Sequence, residues 1–234
     1  MTEAHQQTID WDEFWRTADE DDQQSATPSA HHVREALADL VAETGGIDSF
    51  ADVGCGPGVV TFDVAERNPE ADVVGYDAAE AVLETNRERA TTDSIGNISF
   101  ERAVLPAFEP DRQFDLVLCY GTLAYVTESE QALQNLYDAV APGGHLVLGY
   151  VNEFGAAQFR AQHADLTESD DPRRDPDEYG ERFGLVMDER STLSFDAIRN
   201  ALGTWPRSIW EVAEKPEKRW AWSHVPLVYV PKPA

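Results

Sequence analysis

Asp52, Gly54, Gly56, Gly58 and Asp77 are the residues whose types and spacing carry chemistry in this chain. The stretch Ala51–Val60 reads Ala-Asp-Val-Gly-Cys-Gly-Pro-Gly-Val-Val, with an acid two residues before the first of three alternating glycines. Glycines permit positive φ and let a ligand approach the main chain closely. A helix starting after them would present unpaired N–H groups to whatever sits over the turn. That is a binding loop for a nucleoside-type cofactor. A dinucleotide fingerprint needs its third glycine three residues after the second. Val59 holds that place and Gly58 comes one residue early, so a pyrophosphate-cradling loop is disfavoured. Asp77 follows about 20 residues on, where an acid at the end of the next strand can accept from both ribose hydroxyls.

These residues need a strand before the loop and a helix after it. Ile47, Phe50 and Val53 provide an apolar lead, and periodic apolar residues follow from Val59 to Ala65. The same alternation continues along the chain. Strands are expected at about 49–54, 72–77, 98–103, 114–120 and 145–151, and helices at about 58–67, 79–90 and 128–140. Such alternation predicts a parallel sheet with helices on both faces. Phe114–Tyr120 is nearly continuous in apolar residues, as a central parallel strand should be, and Pro142-Gly-Gly144 should break the preceding helix. Before this core, Pro28-Ser29 opens a helix carrying Val33, Leu37, Leu40 and Val41. After it, a capped helix Ser194–Leu202 leads to two strands, Ser208–Glu214 and Leu227–Pro231.

Asp-x-Gly-x-Gly-x-Gly, the acid at Asp77 and the helix, Pro-Gly-Gly, strand order resemble the class I S-adenosylmethionine-dependent methyltransferases. The specific motifs occupy about residues 47–151, within a resemblance over about 30–232. It implies an α/β, doubly wound, Rossmann-like fold with a seven-stranded, mainly parallel sheet, one of the last two strands being antiparallel. It implies S-adenosylmethionine as cofactor, with Asp52 toward the ammonium, the loop along the methionine part and Asp77 on the ribose. The cofactor-binding set is then Asp52, Gly54, Cys55, Gly56, Gly58, Asp77, Ala78, Ala103, Val104 and Cys119. The chain departs from the family after the third strand. An acid usually meets the adenine amino group there, but Ala103 and Val104 stand in its place, so main-chain groups and apolar packing by Val104 and Leu105 are expected to hold the adenine.

Two segments decorate this core. Residues 1–28 form an aromatic and acidic segment in which Trp11, Phe14 and Trp15 share one face of a short helix. That face either pins the helix to the core or, as the resemblance implies, caps the cofactor pocket. Residues 29–234 form the methyltransferase domain. Within it, 152–192 is broken by prolines and charge (Asp170–Glu178) and reads either as a substrate lid with partial helix over Glu153–His163 or as a surface insertion.

Methyl transfer from a sulfonium demands little of the protein beyond alignment and exclusion of water. A base is needed only where the nucleophile must lose a proton, and no residue compels a catalytic assignment. Tyr120 and Tyr125 follow the fourth strand where the methyl group should emerge. His31 and His32 precede a helix, and His163 and His224 read as surface groups. Leu118 rather than Pro precedes Cys119, which separates the chain from cytosine-C5 methyltransferases, and Tyr120–Tyr125 replaces the Asn/Asp-Pro-Pro-Tyr motif of amino-group methyltransferases. Trp205, Trp210, Trp220 and Trp222 with Lys215, Lys218 and Arg219 form the one locally basic stretch, read as strand-loop-strand packing or as an anionic-partner surface.

The chain has 234 residues, 42% of them hydrophobic, enough for one α/β domain with a sizeable core. Cys55 and Cys119 make neither a disulfide framework nor a metal cluster. The N-terminus lacks a signal-peptide pattern and no apolar run is long enough for a membrane span, so a cytoplasmic protein is expected. The net charge is −26, from 44 acids and 18 bases. An ordered hydrophobic pattern under such self-repulsion suggests adaptation to high salt, where the Debye length shrinks to about 3 Å. Long-range repulsion of nucleic acids is muted there as well, so acidity says little about the substrate. The expected function is a methyltransferase acting on a small molecule, because no nucleic-acid module is attached and a lid suits small acceptors. An RNA or protein methyltransferase, a non-catalytic cofactor-binding module and an NAD-dependent oxidoreductase are its rivals.

Overall fold

The structure, a computed structural model, describes residues 8–19, 23, 26–27, 30–168, 175–213 and 225–234, without the side chains of 30 and 31. Glu20–Asp22, Pro28-Ser29, Asp170–Arg174, Lys215, Lys218, Arg219, Trp220, Trp222, His224 and the side chain of His31 thus lie outside the described residues.

Seven strands form one sheet in the order β3-β2-β1-β4-β5-β7-β6. Strands β1 (Ser49–Val53), β2 (Asp72–Asp77), β3 (Ile98–Arg102), β4 (Phe114–Tyr120) and β5 (Val140–Gly149) run parallel. Strand β7 (Leu227–Pro231) is antiparallel to β5, and β6 (Arg207–Ser208) is antiparallel to β7. The chain order reverses between β1 and β4. In open parallel sheets that reversal leaves a crevice at the strand C-termini.

Both sheet faces are covered. On one, Phe50, Val73, Leu116, Leu118 and Val147 pack against Val33, Leu37 and Leu40 of α2 (Ala30–Thr44) and Val60 and Val64 of α3 (Val59–Arg67). On the other, Val53, Val117, Leu146 and Leu148 meet Leu133 and Leu136 of α5 (Ser129–Asp138) and Ile198 of α8 (Phe195–Leu202). Helix α4 (Glu80–Thr92) adds Val82 and Leu83 to a third cluster with Cys55, Phe62 and Phe100. The central strands β1 and β4 are locked at their entry ends by a side chain. One Asp115 carboxylate oxygen accepts from the Asp48 and Ser49 N–H groups and the Ser49 hydroxyl at 2.8–3.0 Å.

The expected doubly wound fold is present, with two local corrections. Pro142-Gly-Gly144 lies inside β5, which begins at Val140 rather than at 145. The helix ends at Asp138, and the glycines form a bulge where the β4–β5 register shifts. Of the expected strand Ser208–Glu214, residues 209–213 are not strand, and Glu214 lies outside the described residues. Only Arg207 and Ser208 pair with β7, and a 3₁₀ turn follows over Ile209–Glu211. There the Ser208 hydroxyl accepts from Trp210 N–H while Ile209 is buried against the α2 side of the core, and these local bonds replace the ladder.

The described parts of the two decorating segments contain helices. Helix α1 (Trp11–Thr17) starts at Asp10, whose carboxylate accepts from Glu13 N–H, and Asp12 docks it by accepting from Ala81 N–H at the start of α4. Beyond β5 lie two helices rather than a loop with partial helix: α6 (Glu153–Thr167), capped by Asn152, and α7 (Pro176–Met187), capped by Asp175. They meet through Phe159, Tyr179 and Phe183, with ring centroids 4.7–6.3 Å apart. His163, expected at the surface, stacks on Tyr179 and bonds the Pro176 carbonyl at 3.0 Å.

Candidate functional site

A cavity of about 680 Å³ lies over the C-terminal ends of β1, β2, β3 and β4. Its floor is built from the glycine loop. Gly54, Gly56 and Gly58 have φ of +80°, +49° and +70°. A Cβ on Gly54 would fall 1.9 Å from the Thr122 hydroxyl oxygen, so the loop nests against the turn after β4 only because that Cβ is missing. The Gly56 carbonyl accepts from the buried Asn86 amide of α4 at 2.8 Å. Glycine therefore permits the path and Asn86 holds it.

Two carboxylates enter this floor. Asp52 is buried and accepts from the Thr61 hydroxyl of α3 at 2.7 Å. Burial pushes its carboxyl up to about 7, opposed by the Thr61 hydrogen bond and reinforced by the charge of Asp77. Asp77 accepts from Gly56 N–H at 2.9 Å and from Ala79 N–H at 3.0 Å. Burial raises its carboxyl too, and these backbone bonds oppose the shift. Asp77 thus ties the loop to β2, while each of its oxygens keeps lone-pair capacity for a further donor. Two acids held above their ordinary range form a site that a cation would stabilise.

Of the sequence-derived cofactor set, Asp52, Gly54, Cys55, Gly56, Asp77, Ala78, Ala103 and Val104 line the cavity. Gly58 does not. It caps α3, and a Cβ there would meet the Phe62 ring at 2.9 Å, so its glycine serves helix packing. Cys119 does not line it either. Its side chain points into the core beside Val117 and Leu148 and has no exposed surface, and burial pushes its thiol up to about 12. Strand alternation explains the miss, since Leu118 and Tyr120 on either side of Cys119 line the cavity. His32 and His163 lie outside the lining, whereas Tyr120 and Tyr125 belong to it.

The roof comes from distant segments. Trp15 covers the loop, its ring 3.2 Å from where a Gly56 Cβ would sit. Trp11 packs edge-on against Tyr125 with centroids 4.7 Å apart. Gln158, Phe159 and Gln162 of α6 and Tyr179, Arg182 and Phe183 of α7 close the far side. Sequence reading missed these lid residues, together with Thr61, Asn86 and Thr122. Tyr179, Arg182 and Phe183 do carry a signal at i, i+3, i+4, but it sits beyond a charged, proline-broken stretch. Thr61 and Asn86 carry none, because any polar helix residue looks the same in sequence.

The site fits S-adenosylmethionine. It offers close backbone approach at the glycines, acids for a cationic amino acid end and a ribose, and small apolar surfaces at Ala78, Ala103 and Val104. Among the described residues lining the cavity, Asp52 and Asp77 are the only acids and no histidine is present. Among the described residues there is no group of His, Cys, Asp and Glu suited to a metal ion, and no helix is long and apolar enough to cross a membrane.

The sheet order and this loop define a cofactor-binding α/β domain of the transferase type. Residues 48–187 match the methyltransferase domain family, and the chain belongs to it. Its cofactor is S-adenosylmethionine. Over 136 residues the chain is 34% identical to the trans-aconitate 2-methyltransferase of Streptomyces coelicolor, which covers 56% of this chain and 45% of that protein. It is 29% identical over 136 residues to the ubiquinone biosynthesis O-methyltransferase of Acinetobacter baylyi, covering 56% of each. The chain thus spans about half the length of the curated relatives it matches. Among solved structures, the plantazolicin methyltransferase BpumL with SAH superposes with a TM-score of 0.65 at 11% identity, over 94% of this chain and 93% of that one. The magnesium protoporphyrin IX methyltransferase of Synechocystis PCC 6803 gives 0.60 at 16% identity over the same shares. These likenesses establish the fold.

Proposed function

We propose that this protein transfers the methyl group of S-adenosylmethionine to a small-molecule acceptor. The observation that carries the reading is one cavity whose floor is the Asp52–Gly56 loop with Asp77 and whose roof is α1 with the α6–α7 pair. A roofed chamber of about 680 Å³ suits a cofactor beside a compact acceptor better than an open polymer track. The curated relatives named above act, by their names, on trans-aconitate and on ubiquinone precursors, which supports a small acceptor.

In this reading Asp52 receives the ammonium, directly or through water, and Gly54, Cys55 and Gly56 pass along the methionine part. Asp77 accepts from the ribose hydroxyls with the lone pairs that Gly56 and Ala79 leave. Ala78, Ala103 and Val104 pack the adenine. Helix α1 is the cap, and α6 and α7, within residues 152–192, are the lid. When bound, the cofactor supplies an activated methyl group on a cationic sulfur. The chain's own residues align the acceptor and exclude water.

S-adenosylhomocysteine should raise the melting temperature and NAD should not, because a ligand confined to the native state stabilises by mass action. A shift with NAD alone would overturn the cofactor assignment. Release of S-adenosylhomocysteine on adding an acceptor would separate a catalyst from a binding module.

A further inference from the structure

The far half of the cavity is apolar-walled and carries a cation. Arg182 is the only lysine or arginine among the described residues lining the cavity. Its guanidinium lies over the rings of Trp11, Phe14 and Phe183, at 5.5, 4.9 and 4.9 Å from their centroids. It also reaches the Tyr125 hydroxyl, opposing the upward pull that burial exerts on that phenol. Gln162 lines the same cavity, and its carbonyl oxygen accepts from the Tyr179 hydroxyl at 2.8 Å, which leaves the amide N–H₂ as its donor side. An arginine and an amide thus share the wall of an aromatic chamber.

The surroundings sharpen the point. The adjoining cleft of about 790 Å³ shares Arg182 and is lined by Glu13, Asp165, Glu178 and Glu181. At close range these acids repel an anion, and a local cation offsets them. An arginine seated among rings is weakly hydrated and offers a planar fork that matches a carboxylate.

We propose that Arg182 selects the methyl acceptor, and that the acceptor is a small carboxylate with a flat apolar body. Its carboxylate pairs with the Arg182 guanidinium and the Gln162 amide, and its body lies among Trp11, Tyr125 and Phe183. This rests on the methyltransferase reading, since the acceptor chamber is defined by the cofactor loop opposite it.

The test is calorimetric binding to the full chain saturated with S-adenosylhomocysteine, using matched pairs of a carboxylate and its neutral methyl ester: benzoate, 4-hydroxybenzoate and phenylacetate. In at least one pair the acid should bind about tenfold or more tighter than its ester. Arg182→Gln should abolish that preference. Arg182→Lys, which keeps the charge and the ring contacts but loses the fork, should retain S-adenosylhomocysteine binding and lose about three- to tenfold in acid affinity. Esters binding as tightly as acids throughout, or no pair binding to the loaded protein, would overturn the proposal. So would equal loss of acid and ester in Arg182→Lys, the mark of a cap fastener. Failure of the wild-type chain to bind S-adenosylhomocysteine would instead overturn the cofactor reading beneath it.

Discussion

The two halves of the cavity are built from different materials. The cofactor half is largely main chain. A glycine loop at positive φ is held at Gly56 N–H by Asp77 and at the Gly56 carbonyl by Asn86. The acceptor half is side chain, with rings, amides and one guanidinium contributed by α1, the turn after β4, α6 and α7. A main-chain site tolerates almost no change where a Cβ would intrude, but it leaves many side chains free. A side-chain site can be retuned residue by residue over the same floor. On the proposed reading, the methyl donor is held by a part that sequence can hardly alter, and acceptor choice falls to a part that it alters easily.

The most severe test of this contrast is Gly54→Val. A side chain there meets Thr122 and is forced to φ of +80°. S-adenosylhomocysteine affinity should fall by about a hundredfold or more, as expected when backbone strain and steric overlap act together. Calorimetry on the folded variant measures it, and retained affinity would mean that the loop is a mere connector.

Asp77→Ala comes next. Hydrogen bonds to a charged group contribute about 1.5–3 kcal/mol each, so cofactor affinity should drop by at least about tenfold. The ligand-free protein should melt earlier as well, because the Gly56 and Ala79 N–H groups lose their acceptor. Asp72→Ala, at the opposite end of β2 where the exposed carboxylate meets Arg112, should change neither quantity. Equal behaviour of the two variants would place the ribose elsewhere.

A pH difference follows from Asp52. Its carboxyl is raised from 3.8 in the unfolded reference to about 7 in the fold. The folded state therefore holds a proton that the unfolded chain has released. The contribution to stability is fully present below about pH 4 and is lost as pH rises to about 7. Subtracting an Asp52→Asn melting series from the wild-type series should isolate that decline. A cation lowers the carboxyl again, so S-adenosylmethionine affinity should rise several-fold between about pH 6 and 8 in the wild type and stay flat in the variant. A flat wild-type profile would show that the ammonium does not reach Asp52.

The smallest effects should separate the two tryptophans of α1. Trp15→Ala uncovers Gly56 and should weaken S-adenosylhomocysteine by about three- to tenfold. Trp11→Ala, beside Tyr125 and Arg182, should leave that affinity within about twofold while weakening acceptor binding. If both substitutions act on the same ligand, the division of the roof between the halves is wrong.

The chain order of the core was legible in the sequence because each element announces itself locally. β4 reads as a continuous apolar run, and the cofactor loop is a contiguous motif whose glycines are dictated by main-chain dihedrals. Asp77 was singled out by its distance from that motif, and it lines the cavity. Its bonds to Gly56 and Ala79 were not legible, because they depend on how β2 approaches the loop. Cys119 was misplaced because sequence locates a strand end but leaves open which face an end residue turns to. Arg182, Gln162, Trp11 and Tyr125 stand far apart along the chain, with no spacing rule to join them, and only the folding of α1 and α7 over the sheet brings them to one chamber. The sequence alone determined the doubly wound sheet and the glycine loop, since hydrophobic periodicity and glycine dihedrals act between neighbours in the chain. Tertiary structure decided the membership of the acceptor chamber, since packing between remote segments selects which side chains meet.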